Sequence, residues 1–279
     1  MKTIKINNIN VSNAKQFTLI AGLNVLEDRK IIDEVATECK NVTQELDIPF
    51  IFKASYDKAN RSSVNSFRGP GLDEGLEILN KLKSDYNFPV ISDVHSQQEI
   101  LKASKVLDLL QIPAFLCRQT DLSSAAADSN LPINIKKGQF LSPAEIANII
   151  KKFKHFGNEK LLICERGTSF GYNNLIVDML GISQIKAYEY PVIFDVTHSL
   201  QQPGGLGDKA SGRRSLALDL AKSAMSIGIA GLFVEVHPEP DKAQCDGPCA
   251  LPLNLLKDFL SQIKSLDKLV KTFPYLEIN

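Results

Sequence analysis

Eight short apolar runs, each separated from the next by a segment of helical period, limit the folding of this chain more than any other feature. They occupy residues 17–22 (FTLIAG), 49–53 (PFIFK), 88–93 (FPVISD), 107–112 (LDLLQI), 131–136 (LPINIK), 161–165 (LLICE), 191–195 (PVIFD) and 231–236 (GLFVEV). Continuous apolar runs of this kind mark strands of a parallel sheet that is covered on both faces. Between them, residues 27–46 carry Ile31, Val35 and Val42 at helical spacing, and residues 72–86 carry Leu76, Leu79 and Leu82. Residues 142–156 open on Ser142, Pro143 and Glu145, a capping signal with proline at the first helical position. Residues 212–227 and 253–270 complete the helical set. Eight strands alternating with helices predict an α/β protein of the (β/α)8 barrel type, with an open doubly wound sheet as the alternative. Residues 4–11 (IKINNINV) alternate and predict a small hairpin closing the barrel bottom. No Pro/Gly/Ser-rich linker or block of like charge interrupts the pattern, so one domain is expected over residues 1–279, with the hairpin inside residues 1–12.

Lys plus Arg and Asp plus Glu are equal at 32 each, so no global field would draw the molecule to nucleic acid or an anionic membrane. No run approaches the ~18 apolar residues of a membrane span. The opening MKTIKINNIN lacks the apolar core of a secretion signal, so a cytoplasmic location is expected. Five cysteines, an odd number, argue against a fully paired disulfide framework. Cys39, Cys117 and Cys164 read as small core residues; Cys245 and Cys249, at a spacing unusual for zinc, read as free thiols.

In a barrel of this kind the chemistry sits at the carboxyl ends of the strands. Asn24 follows the first strand, and the second runs from Lys53 into Ser55, Lys58, Asn60, Arg61 and Ser62. The third ends in Asp93 and His95, the fourth in Gln111 and the fifth in Lys136 and Lys137. The sixth ends in Glu165 and Arg166, the seventh in Asp195 and His198, the eighth in Glu235 and His237. Three of the four histidines fall at this end. A single lysine at a strand end is usually just solvated. Lys53, Lys58, Arg61, Lys136 and Arg166 together predict a substrate carrying more than one phosphate or carboxylate. There is no GxxxxGK[ST], and no GxGxxG follows a strand, so neither a P-loop nucleotide nor a dinucleotide cofactor is expected. The Gly-rich run at residues 203–207 reads either as a mobile lid or as a plain connector. His198, Glu235 and Asp246 form a set able to take a divalent metal, but the nearest fourth ligand is Asn24, whose neutral amide is a poor one. The expectation is that no metal and no cofactor is used.

The segments FKASYDKANRSS, SFRGPG, SDVH, QIPAFLCRQTDL, IKKGQFLSP, CERGTSFGYNNL, PVIFDVTHSLQQPGG and HPEP…CDGP…LPL resemble the 3-deoxy-D-manno-octulosonate-8-phosphate synthases, from about residue 10 to about residue 270. KANRSS and CDGP are the most specific of them. The wider superfamily, which includes the heptulosonate-phosphate synthases, shares the barrel and phosphoenolpyruvate chemistry. The resemblance implies that phosphoenolpyruvate, D-arabinose 5-phosphate and water give 3-deoxy-D-manno-octulosonate 8-phosphate and inorganic phosphate. That reaction serves the lipopolysaccharide inner core, in a cytoplasmic homotetramer. By the same resemblance Lys53, Ser55 and Lys58 hold the phosphoenolpyruvate carboxylate. Lys136 and Arg166 clamp its phosphate, with the Ala114 backbone nearby. Asn60, Arg61 and Ser62 contact arabinose 5-phosphate, and Arg118 is lent by a neighbouring subunit. His198, Glu235 and Asp246 form the polar wall near the reacting carbons, and Asp93 and Gln111 are further substrate contacts. Lys136, His198, Asp246 and Asn24 are the candidates for proton transfer and orientation. Family members that need a metal carry Cys at the position of Asn24 (GLNVLE), so the resemblance implies the metal-independent class. The loop LQQPGGLGDKASGRR departs from that class and looks more like some metal-dependent members.

Overall fold

The computed structural model describes residues 1–204, 211–274 and 276. The eight barrel strands are β1 (Thr18–Val25), β2 (Phe50–Ser55), β3 (Val90–Asp93), β4 (Leu109–Ile112), β5 (Ile133–Lys136), β6 (Leu161–Glu165), β7 (Val192–Asp195) and β8 (Gly231–His237). Each pairs in parallel with its neighbours in sequence. Closure comes from β8 against β1, where Leu232 lies opposite Leu19. A helix follows every strand: α1 (Arg29–Glu45), α2 (Leu72–Tyr86), α3 (Gln97–Ala103), α4 (Thr120–Asp128), α5 (Ile146–His155), α6 (Met179–Lys186), α7 (Ala217–Met225) and α8 (Leu256–Val270). The expected (β/α)8 barrel is therefore what forms.

Alternation along each strand divides the residues between two cores. Leu19, Phe50, Phe52, Val90, Leu110, Ile133, Ile163, Phe194 and Leu232 point outward into the layer shared with the helices. Ile20, Ile51, Ile91, Leu109, Leu162, Ile193 and Phe233 point inward. The expected hairpin, Ile4–Ile6 with Ile9–Val11, joins that inner group through Ile4, Ile6, Ile9 and Val11 and plugs the bottom. Two residues farther along five of the strands the inward positions become polar, Lys53, Asp93, Gln111, Asp195 and Glu235, and on β5 Lys136 stands above Asn134, whereas β1 and β6 place Gly22 and Cys164 there. The interior is thus apolar at one end and charged at the other.

Three helices lie where no periodic segment is evident. Both α3 and α6 are under three turns long, and α4 buries Leu122, Ser123, Ala126 and Ala127, small residues with little apolar contrast. The expected helix starts at 142, 212 and 253 fall early. Tight 3₁₀ turns at Pro143–Glu145, Arg214–Leu216 and Leu253–Leu255 precede α5, α7 and α8. The capping box is present, the Ser142 amide donating to Glu145 Oε2 at 2.8 Å. Strand β1 runs beyond its apolar segment because the register shifts between Gly22 and Val25. A Cβ at Gly22 would meet the Lys53 carbonyl oxygen at 2.1 Å, so only glycine lets β1 and β2 approach here. All five cysteines are buried and free, as expected.

Candidate active site

The polar ends of the strands and the loops beyond them enclose a cleft of about 440 Å³. Of the residues expected at the site, Lys58, Asn60, Arg61, Ser62, Asp93, Gln111, Ala114, Lys136, Arg166, His198 and Asp246 line it. The rest are placed elsewhere. Lys53 is fully buried beneath the cleft, and its ammonium donates to Glu235 Oε1 (2.6 Å) and to the carbonyls of Asn24 (2.8 Å) and Leu23 (3.2 Å). The Ser55 hydroxyl donates to Asp93 Oδ2 at 2.7 Å. Both are inward positions of β2 whose polar atoms meet neighbours, and neither lines the cleft, whereas the resemblance implied that both hold the phosphoenolpyruvate carboxylate. Asn24 and Glu235 likewise lie behind the lining. Arg118 is exposed, stacked on the Phe140 ring at 5.2 Å and close to Glu145, and lines no part of this chain's own cleft. The Gly-rich run enters the wall with Pro203 and Gly204; its remainder, within residues 205–210, lies outside the described residues.

Each buried lysine has a carboxylate. Lys53 meets Glu235, Lys58 meets Asp93 at 3.0 Å, and Lys136 meets Asp195 while lying 3.1 Å from the centroid of the Phe233 ring. Burial alone would raise the Glu235 carboxyl, but the charges of His198, Lys53 and Lys58 hold it down at about 2. Asp195 and Asp93 follow the same logic. Burial opposes ionisation, yet His198 and Lys136 hold Asp195, and Lys58 and Lys53 hold Asp93, far below the ordinary carboxylate range. Burial pulls the Lys58 ammonium down, but Asp93 and Glu235 outweigh it and lift the group above its usual value. The three carboxylates are therefore ionised at neutral pH.

Two lining cations differ: among the described residues, Arg61 and Arg166 have no carboxylate within salt-bridge distance. Arg166 Nη2 donates to Gln201 Oε1 at 2.5 Å, and its buried Nη1 has no partner. Arg61 reaches only the Gln244 carbonyl, at 3.5 Å. A guanidinium with unfilled donors in a dry cleft suits a planar or tetrahedral oxyanion.

His198 stands among three carboxylates. Its Nδ1 is 2.8 Å from Asp195 Oδ2, although the ring nitrogen is not aligned for a hydrogen bond. Its Nε2 is 3.5 Å from Glu235 and 3.8 Å from Asp246. Ligand atoms of His198, Glu235 and Asp246 all lie within 4.8 Å of one another, as a metal set requires. The fourth position does not fit. Asn24 Nδ2 donates to Glu235 Oε2 at 2.6 Å and to Asp246 Oδ2 at 3.1 Å. Because carboxylates only accept, the amide must present its NH₂ group here, and an amide nitrogen is not a metal ligand. The amide thus takes up the carboxylate oxygens a cation would need.

Asp195, Gln201, Gln139 and Phe233 belong to the site but were given no role from the sequence. For Asp195 the signal exists, since it lies two residues beyond the inward Ile193. Phe233 is apolar and inward, and nothing in the sequence separates a ring that underlies two ammonium groups from an ordinary core ring. Gln139 is on a loop and Gln201 in a two-residue strand paired with Gly212, too short for any periodicity to show.

A family model described as "DAHP synthetase I family" matches residues 2–272. The chain is 56% identical over 276 residues to a protein of Stutzerimonas stutzeri called 2-dehydro-3-deoxyphosphooctonate aldolase, covering 99% of this chain and 98% of that one. A protein of the same name from Pseudomonas putida is also 56% identical over 276 residues, with the same coverage. One from Shewanella frigidimarina is 55% identical over 271 residues, covering 97% of this chain and 96% of that one. Both the match of the model and the full-length likeness place the barrel and its charged rim in one lineage: the chain belongs to the DAHP synthetase I family.

Proposed function

We propose that this enzyme joins phosphoenolpyruvate to D-arabinose 5-phosphate with the uptake of water, giving 3-deoxy-D-manno-octulosonate 8-phosphate and inorganic phosphate for lipopolysaccharide inner-core synthesis. The observation that carries the reading is a single cleft lined by two guanidiniums without a carboxylate partner, Arg61 and Arg166, together with Lys58 and Lys136. That spacing of charge suits two phosphorylated substrates side by side. Its relatives' names point to the same reaction.

The chemistry needs few groups beyond positioning. Carbon 3 of phosphoenolpyruvate attacks the aldehyde carbon, the carbonyl oxygen takes a proton, and positive charge develops at carbon 2. Water adds there, and the carbon–oxygen bond to phosphate breaks. Lys136, buried against Phe233 and Asp195, is assigned the proton for the carbonyl oxygen. Asp246, with His198 beside it, orients the water and accepts its proton. Asn24 holds Glu235 and Asp246 in place without a metal ion, which assigns the enzyme to the metal-independent class. Arg118, exposed in one chain, completes the site of a neighbour in a homotetramer. The enzyme works in the cytoplasm; among the described residues no helix is long and apolar enough to cross a membrane.

Phosphate release tests reaction and metal class together. Release is expected only when both substrates are present, with erythrose 4-phosphate a poor replacement for arabinose 5-phosphate, and unchanged rate in EDTA. Release from phosphoenolpyruvate alone would overturn the reaction, preference for erythrose 4-phosphate the acceptor, and loss in EDTA with rescue by manganese the metal class.

A further inference from the structure

Across β3, β4 and β5 three inward polar residues stand directly opposite one another, Asp93 beside Gln111 and Gln111 beside Asn134. The hydrogen bonds run one way along this row. Asn134 Nδ2 donates to Gln111 Oε1 at 2.8 Å, and Gln111 Nε2 donates to Asp93 Oδ1 at 2.6 Å. Asp93 Oδ2 then receives the Ser55 hydroxyl and the Lys58 ammonium. The direction is forced from the far end, because an ionised Asp93 can only accept, so Gln111 must turn its NH₂ toward it and its carbonyl toward position 134. Asn134 is fully buried and lies outside the cleft lining; the Cys164 thiol stands beside its amide, and its Oδ1 accepts no hydrogen bond among the described residues. On β6 its opposite number is Leu162. A polar side chain with an unfilled acceptor is a poor choice for filling an apolar interior, where a leucine would pack at less expense.

We infer that Asn134 is a positioning residue, whose NH₂ group anchors the carbonyl of the Gln111 amide and so, through Asp93, aims Lys58 into the cleft. The inference rests on the proposed condensation only for its kinetic readout. Asn134→Leu keeps the size but removes the donor, so the Gln111 carbonyl is left buried without a partner. Asn134→Ala also removes the donor but opens room for a water that can donate in its place. The near-isosteric leucine is therefore expected to be the more damaging change. It should lower kcat/KM by roughly 10–100-fold, mostly through KM for the substrate that Lys58 holds, against no more than about fivefold for alanine. A mere packing role would give the opposite order, because alanine leaves the larger cavity.

Crystal structures of the two variants supply a readout independent of activity. The Gln111 carbonyl swings away from residue 134 in Asn134→Leu, and a water takes the place of the lost donor in Asn134→Ala. Should leucine prevent folding, Asn134→Thr and Asn134→Val carry the test, since threonine keeps a donor and valine has the same shape without one; threonine keeps KM near wild type and valine raises it. Alanine as damaging as leucine, an unmoved Gln111 side chain in Asn134→Leu, or equal KM for threonine and valine would overturn the inference. An inactive wild-type enzyme would overturn the proposed reaction instead, and the structural comparison would still decide the role of Asn134.

Discussion

Lys136→Met should reduce kcat for phosphate release by about 10³-fold or more, the loss seen when a buried proton donor and charge stabiliser is removed. Methionine fills nearly the same volume above Phe233, so the change is in charge and proton, not packing. It also leaves Asp195 buried without its lysine, and a fall in stability accompanies the loss. Thermal unfolding separates the two effects: a variant that is still folded at the assay temperature but inactive places the defect in the chemistry. Lys136→Arg keeps the charge against Asp195 yet cannot give up its proton near neutral pH. It should regain stability without regaining rate. A Lys136→Met enzyme within about tenfold of wild-type kcat would remove Lys136 from the proton step.

Lys53→Met makes the contrasting case. This lysine touches no part of the cleft, so its first effect is on the fold. Its removal strips Glu235 of one of its cationic partners inside the barrel, and breaking a buried ion pair on one side costs about 3–5 kcal/mol. The urea midpoint should fall accordingly, and for a chain of this size so should the melting temperature, by roughly 2–4 °C for each kcal/mol. The double variant Lys53→Met/Glu235→Gln removes both charges and should recover a large part of that loss. An unchanged midpoint in Lys53→Met would mean that His198, Lys58 and Asn24 suffice to hold Glu235.

Much of this was legible in the sequence, for reasons that are themselves physical. Strands buried on both faces leave unbroken apolar runs, and all eight barrel strands were located that way. The apolar positions even carry the phase: counting two residues on from Ile51, Ile91, Leu109, Ile193 and Phe233 gives Lys53, Asp93, Gln111, Asp195 and Glu235. What the pattern does not carry is reach. Lys53 and Lys58 are both lysines on or just beyond β2, and nothing in their spacing tells which ammonium is spent on carbonyls below and which faces the cleft. Helices α3, α4 and α6 escaped because short helices with alanine-rich or serine-containing faces lack amphipathic contrast. Asn134 escaped because its chemistry lies in the direction of one hydrogen bond.

Among the described residues, the pairing of every cleft lysine with a carboxylate bears on how substrates arrive. Opposite charges a few ångströms apart cancel within a short distance, so little of the lysines' potential extends into solvent. Capture then rests on two isolated guanidiniums and on contacts made after arrival, not on a steering field over the barrel mouth. Association rates for the phosphorylated substrates should accordingly depend only weakly on ionic strength, with selectivity exercised at dissociation.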